Sequence, residues 1–200
     1  MKKLNTKKLT QIGMLSAVSV VLMLIEFPLP FLAPGFYKLD LSEVPVLIGC
    51  FSMGPVARVI IELIKVLLNL VINGTETACV GELANFVVGC AFILPAGLIY
   101  RWKHTRQGAL IGMLTGTLSL TVFGCLLNAY VMLPAYSAAF HLPIENIVAM
   151  GTAINSHINS LLTFVLLAVG PFNLIKGILV SAIVFCIYKK ISPILKIGRK

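Results

Sequence analysis

The chain has 200 residues, 58% of them apolar and only 12% charged, with a mean hydropathy of +1.00 and a formal net charge of +9. That balance excludes a soluble globular domain, a disordered chain and a disulfide-stapled secreted scaffold, and it makes the bilayer the solvent to reason in. The surplus of Lys and Arg is then a topology signal before it is a nucleic-acid footprint, because cationic flanks are retained on the cytoplasmic side of a membrane.

A spanning helix needs ~20 apolar residues, and by that measure helices are expected at 11–27, 44–53, 56–72, 83–100, 108–127 and 171–188. The second is short and ends at Gly54-Pro55, where the fixed φ and missing amide of proline favour a fresh helix start. The apolar run 160–188 is too long for one crossing and contains Gly170-Pro171, so it is divided there. Residues 131–169 are then an outer loop holding partial helices, with the stretch before Pro171 packed as a half-helix. The result is an all-α integral membrane protein of six transmembrane helices in a single membrane domain, 1–200.

Charge supports the parity. Lys2, Lys3, Lys7 and Lys8 precede the first helix, Arg101, Lys103 and Arg106 separate the fourth from the fifth, and Lys189, Lys190, Lys196, Arg199 and Lys200 follow the last. An even number of crossings puts these twelve of the sixteen cations on one side, with N and C termini both cytoplasmic. Loops 28–42, 73–82 and 131–159 on the other side carry one cation, Lys38. The first run ends in Glu26-Phe27-Pro28 without a small-residue cleavage site, which argues against a removable signal peptide.

The five cysteines are odd in number and scattered through apolar runs, where cysteine packs as a small hydrophobe. His104, His141 and His157 lack metal-ligand spacing, and neither a GxSxG elbow nor a GxxxxGK[ST] loop occurs. A metal site, a resident cofactor and a membrane hydrolase or isoprenoid enzyme all lack their parts. Any uphill transport must draw its energy from a partner or an ion gradient.

Ionisable groups at membrane depth each require a partner or a function. Arg58, Glu62, Lys65 and Asn69 share one face of the third helix, either as an internal ion-pair ladder, with Arg58–Glu62 and Glu62–Lys65 pairs, or as a polar lining. Asn173 and Lys176 stand one turn apart on the last helix. Lys176 has no acid within a turn, so its ammonium must find a carbonyl, a distant carboxylate, a ligand or the outer surface. Asn128 closes the fifth helix and can offer a paired donor and acceptor to an amide-like heterocycle edge. Asp40 and Glu43 suit the N-terminus of the second helix as cap and first-turn acids. Taken together, the outer ends of helices two, five and six surround an apolar space with a few amides, an amine and Asp40, which is the pattern of a pocket for a partly aromatic, neutral small molecule.

Gly108, Gly112 and Gly116 in the fifth helix, and Gly81, Asn85, Gly89 and Gly97 in the fourth, form small-residue seams that permit close helix approach. Gly13 and Ala17 make a similar patch on the first helix, where a helix of another subunit could seat.

Six ordered strings carry a family resemblance over nearly the whole length: EFPLPFLAP (26–34), KLDLSEVPVLIG (38–49), GPVARVIIELIKVLLN (54–69), ELANFVVG (82–89), NAYVMLPAY (128–136) and PFNLIKG (171–177). The chain resembles the riboflavin-specific S components of energy-coupling factor (ECF) vitamin transporters. The resemblance implies the ECF S-component fold in the bacterial cytoplasmic membrane, capture of riboflavin from outside, and docking on a shared transmembrane subunit, EcfT, driven by two ATPase subunits, EcfA and EcfA'. Delivery inward is by toppling of the loaded subunit. It further implies a substrate site of Asn128, Asn173 and Lys176, joined by Lys38, Leu39 and Asp40 and by Thr77 and Ala78 of the third outer loop. Gly13 and Ala17 fall at the positions of the family's partner-docking face. Riboflavin is cargo on this reading, and the alternative is an autonomous ion-coupled carrier using Glu62 and Lys65 as a relay.

Overall fold

The computed structural model describes residues 6–75 and 79–196. Its elements run in the order α1 (Thr6–Leu24), β1 (Phe27–Pro28), β2 (Lys38–Leu39), α2 (Glu43–Met53), α3 (Pro55–Asn73), α4 (Val80–Trp102), α5 (Arg106–Leu127), α6 (Leu133–Phe140), α7 (Ile144–Thr152), α8 (Leu161–Phe164) and α9 (Gly170–Lys196). Two π-helical turns, Asn128–Met132 and Val165–Val169, join α5 to α6 and α8 to α9. Among the described residues, four helical stretches are long and apolar enough to cross a membrane: Thr6–Leu24, Val80–Trp102, Arg106–Phe140 and Leu161–Ile187.

The short α2 is the centre of the bundle. Its residues Glu43 to Phe51 are all buried, and it packs against α1, α3, α4 and α9. Eleven residues rise only about 16 Å, too little to meet lipid on both faces of a bilayer, and burial inside protein removes that requirement. The chain then reverses at Gly54, whose φ of +93° is a conformation glycine adopts without a Cβ clash, and Pro55 opens α3. Around this core, α4 and α5 lie against each other closely enough that a Cβ on Gly112 or Gly116 would press into the Ala96 or Phe92 carbonyl. The small-residue seam expected there is an intramolecular one.

Both π turns precede a proline by the same interval. Leu133 N–H donates to the Asn128 carbonyl and Gly170 N–H to the Val165 carbonyl, with Pro134 and Pro171 following directly. Proline lacks an amide hydrogen and its ring collides with the carbonyl four residues earlier. Widening the preceding turn accommodates both defects and lets the helix continue. The break expected at Gly170-Pro171 is therefore absent: the last helix runs on from Leu161, and residues 161–169 are its first turns, not a separate half-helix. By the same device the fifth helix does not close at Asn128 but extends to Phe140.

Buried apolar side chains fall into two clusters. One gathers Ile12, Leu47, Ile61, Phe92, Met113 and Val184. The other gathers Leu39, Leu133, Ile147, Phe164, Val169 and Phe172 around the two-stranded ribbon, in which Phe27 pairs with Leu39 and Pro28 with Lys38. Polar residues lie between them. Along α9, Lys176 separates Phe172 of the second cluster from Val180 of the first, and Asp40 and Glu43 separate Leu39 from Val44.

Candidate functional site

The strand Lys38–Leu39 organises the site, since successive side chains of an extended backbone point to opposite faces. Phe36, Lys38 and Asp40 face a cavity of about 750 Å³. Tyr37 and Leu39 turn the other way, into the second apolar cluster. The cavity opens at the end of the bundle where α1 and α3 finish and α4 begins. Met23 of α1 and Glu26 just beyond its end line it, with Asn69 and Asn73 from α3, Glu82 and Asn85 from α4, Tyr136 and Phe140 from α6, Ile147 and Met150 from α7, and Lys176 from α9.

Charged groups on this lining are paired across elements. Lys176 Nζ lies 2.8 Å from Asp40 Oδ2, which joins the last helix to the loop before α2. Ser42 donates to the other Asp40 oxygen through its amide, at 2.9 Å, and through its hydroxyl. The Ser42 carbonyl in turn accepts from Ser19 of α1 at 2.6 Å. Burial alone would raise the Asp40 carboxyl, but the ammonium of Lys176, then that of Lys65, and the hydrogen bonds from Lys176 and Ser42 hold it down at about 2. With the folded value below the ordinary 3.8, the stabilisation from this pair is complete above that value and is lost as pH falls through about 2. At neutral pH the pair is ionised. Lys38 is tied to Glu26, bridging the β ribbon to the end of α1.

Asn128 and Asn173 both lie against Gly124. Asn128 Nδ2 donates to the Gly124 carbonyl at 2.8 Å, and the Asn173 amide fills the space that a Cβ on Gly124 would need. Tyr37 covers the pair, its hydroxyl donating to Asn128 Oδ1 at 2.6 Å. The Tyr37 ring centroid lies 5.6 Å from that of Phe172 and 6.3 Å from that of Phe164, and burial raises its phenol well above the usual value. Asn128 and Asn173 are 9% and 7% exposed, so neither faces lipid. Of the expected site residues, then, Lys38, Asp40 and Lys176 line the cavity, whereas Asn128, Asn173 and Leu39 lie behind its wall, across Tyr37. Thr77 and Ala78 fall outside the described residues.

Beneath the cavity sits a second charged group. Lys65 Nζ is 2.7 Å from both Glu43 Oε1 and Glu62 Oε1, all three side chains being at most 3% exposed, and it reaches Asn85 Oδ1 at 3.5 Å. Glu43 is therefore an ion-pair partner as well as a first-turn acid, and the helix N-cap is Ser42, not Asp40. The expected Arg58–Glu62 pair does not form. Arg58 donates instead to Cys50 Sγ and to the Ile93 carbonyl, both at 3.3 Å. Among the described residues no three metal-ligating side chains converge. Gly13 and Ala17 are exposed on the face of α1 opposite Ile12, Ser16 and Val20, with open space above Gly13.

Sequence reasoning overlooked Glu26, Phe36, Asn73, Glu82, Tyr136 and Phe140 as lining residues. A signal was present: polar Asn73 and Glu82 flank the same loop, and Tyr136 and Phe140 share a helix face at a spacing of four.

A family model described as "ECF transporter, substrate-specific component" matches residues 7–188. Among characterised relatives, the riboflavin transporter FmnP of Bacillus subtilis is 35% identical over 191 residues, covering 95% of this chain and 94% of that one. The riboflavin transporter RibU of Staphylococcus aureus is 36% identical over 198 residues, covering 98% and 97%. A solved structure described as the S component of a bacterial ECF transporter superposes with a TM-score of 0.74 at 36% identity, over 96% of this chain and 98% of the other.

Proposed function

The chain belongs to the substrate-specific components of ECF transporters, and from that premise we propose that it is the membrane subunit that captures riboflavin and hands it to an ATP-driven module. Membership makes it a binding component of a transporter and not an enzyme, with the vitamin as cargo. The observation that carries the reading is the 750 Å³ cavity, of a size that holds a small-molecule ligand, walled by Phe36, Tyr136 and Phe140 and edged by amides and paired charges. Riboflavin combines a flat ring bearing an imide edge with a hydroxylated tail. Such a ligand needs aromatic faces, a few donors and acceptors, and no net counter-charge.

Six crossings, by α1, α2, α3, α4, α5 with its extension, and α9, place both termini in the cytoplasm and the cavity outside. The twelve cations at the termini and the α4–α5 junction support this orientation. On the same reading Lys38, Leu39, Asp40, Asn128, Asn173 and Lys176 form the flavin site with the loop holding Thr77 and Ala78. Asn128 and Asn173 become available to the ligand when Tyr37 moves aside. The exposed Gly13 and Ala17 are the seat for the shared subunit EcfT, which is coupled to EcfA and EcfA', and toppling of the docked subunit carries the site inward.

The test begins with the protein purified in detergent without added vitamin. Flavin absorbance is expected to co-purify, and Asn128→Ala and Lys176→Ala should each lower riboflavin affinity by about tenfold or more while the protein still accumulates in the membrane. Unchanged affinity in both variants would refute the site; uptake that persists in cells lacking every ECF ATPase would refute the coupling.

A further inference from the structure

We infer that Glu82 makes the cavity select against phosphate monoesters, so that a neutral flavin is taken in preference to the same molecule carrying a terminal phosphate. The inference rests on the cavity being the riboflavin site. Among the described residues, five charged side chains line it: Glu26, Lys38, Asp40, Glu82 and Lys176. Four of these are matched, Lys38 with Glu26 and Lys176 with Asp40. Glu82 accepts a hydrogen bond from the Thr75 hydroxyl at 3.1 Å but enters no ion pair among the described residues. The described lining therefore holds one negative charge without an ionic partner, set in the first turn of α4.

A phosphate monoester carries a charge of about −1.5 to −2 at pH 7. Near Glu82 it meets a like charge inside a partly enclosed space, where the repulsion is stronger than in open water. Near Lys38 or Lys176 it has to evict Glu26 or Asp40 from an existing pair. Asp40 is only 5% exposed, so eviction leaves a buried carboxylate without its partner. Either placement is penalised. Asn69, Asn73 and Asn85, on the same wall as Glu82, present neutral amides that serve hydroxyl groups equally well in either ligand.

The experiment titrates the purified full chain with riboflavin and with flavin mononucleotide at low ionic strength, following flavin fluorescence. The unmodified protein is expected to prefer riboflavin by about tenfold or more. In Glu82→Gln, affinity for flavin mononucleotide relative to that for riboflavin should rise by about threefold to tenfold. Glu82→Asp keeps the charge and should keep the preference. Added salt should narrow the gap in the unmodified protein more than in Glu82→Gln. Glu82 also complements the positive end of the α4 backbone, but a purely structural role would move both affinities together. Parallel changes in the two ligands, or an unaltered preference in Glu82→Gln, would overturn the assignment. Failure of the unmodified protein to bind riboflavin at all would overturn the reading of the cavity and this inference with it.

Discussion

Lys65 holds two carboxylates on one ammonium, and neither Glu43 nor Glu62 has solvent to fall back on. Glu62 Oε2 and Glu43 Oε2 find no hydrogen-bond partner among the described residues, so the lysine supplies nearly all of their compensation. Lys65→Met should therefore cost about 3–5 kcal/mol, the usual consequence of removing one member of a buried ionic group. The measurement is the thermal unfolding midpoint in detergent, with Glu62→Gln as the milder comparison. An unchanged midpoint for Lys65→Met would show that Arg58, one turn from Glu62, can take over the charge. That Arg58, Glu62 and Lys65 share a face was legible from their spacing alone. Their partners were not, because Cys50 and the Ile93 carbonyl come from other helices and compete with the neighbour on the same one. Lys176 repeats the lesson. Its need for a distant carboxylate could be read locally, but Asp40 lies 136 residues earlier and is brought to it only by the central position of α2.

At the scale of elements, the two π turns decide which way the site residues face. Apolar runs point to helices, and a proline inside such a run points to a disturbance. What the local pattern could not distinguish is a proline that ends a helix from one that a wider turn absorbs, since the choice depends on whether packing holds the helix together on both sides. Phe164 before the π turn, Val165 within it and Phe172 after it are all buried in one cluster, and that continuity favours passage. Deleting Leu167 would remove the extra residue and rotate everything before it by about 100° relative to α9. We expect Leu167 deletion to pull Phe164 and Val165 out of the second cluster, to lower the unfolding midpoint and to weaken riboflavin binding by about tenfold or more, whereas Leu167→Ala, on the exposed face, should change binding little. Equal behaviour of the two variants in a riboflavin titration would contradict this role. The Lys38–Leu39 strand shows the other limit of the sequence. The string KLDLSEVP marked the region as important, but the alternation that sends Lys38 and Asp40 to the cavity and Leu39 to the core emerges only once the segment is seen to be extended.

Across the whole molecule the surface of the spanning helices is apolar, with Met14, Val18 and Val21 on α1, Leu114 and Leu118 on α5, and Leu166 and Ile178 on the last helix exposed to lipid. Ionic side chains are withdrawn to the layer between the two apolar clusters. That layer contains Asp40, Glu43, Glu62, Lys65 and Lys176, and Arg58 lies deeper, among Cys50 and Ile93 of the first cluster; the three acids and three bases cancel. A membrane potential acts on net charge, at about 2.3 kcal/mol per elementary charge per 100 mV. Those six groups together give voltage almost nothing to push as the loaded subunit reorients within the bilayer, which leaves Glu82 as the unpaired charge on the described cavity lining. Vitamin entry into energised vesicles should accordingly hold its rate when the potential is clamped at different values with ATP supplied. A steep dependence on voltage would mean that one of the six charges is gained or lost on the way across.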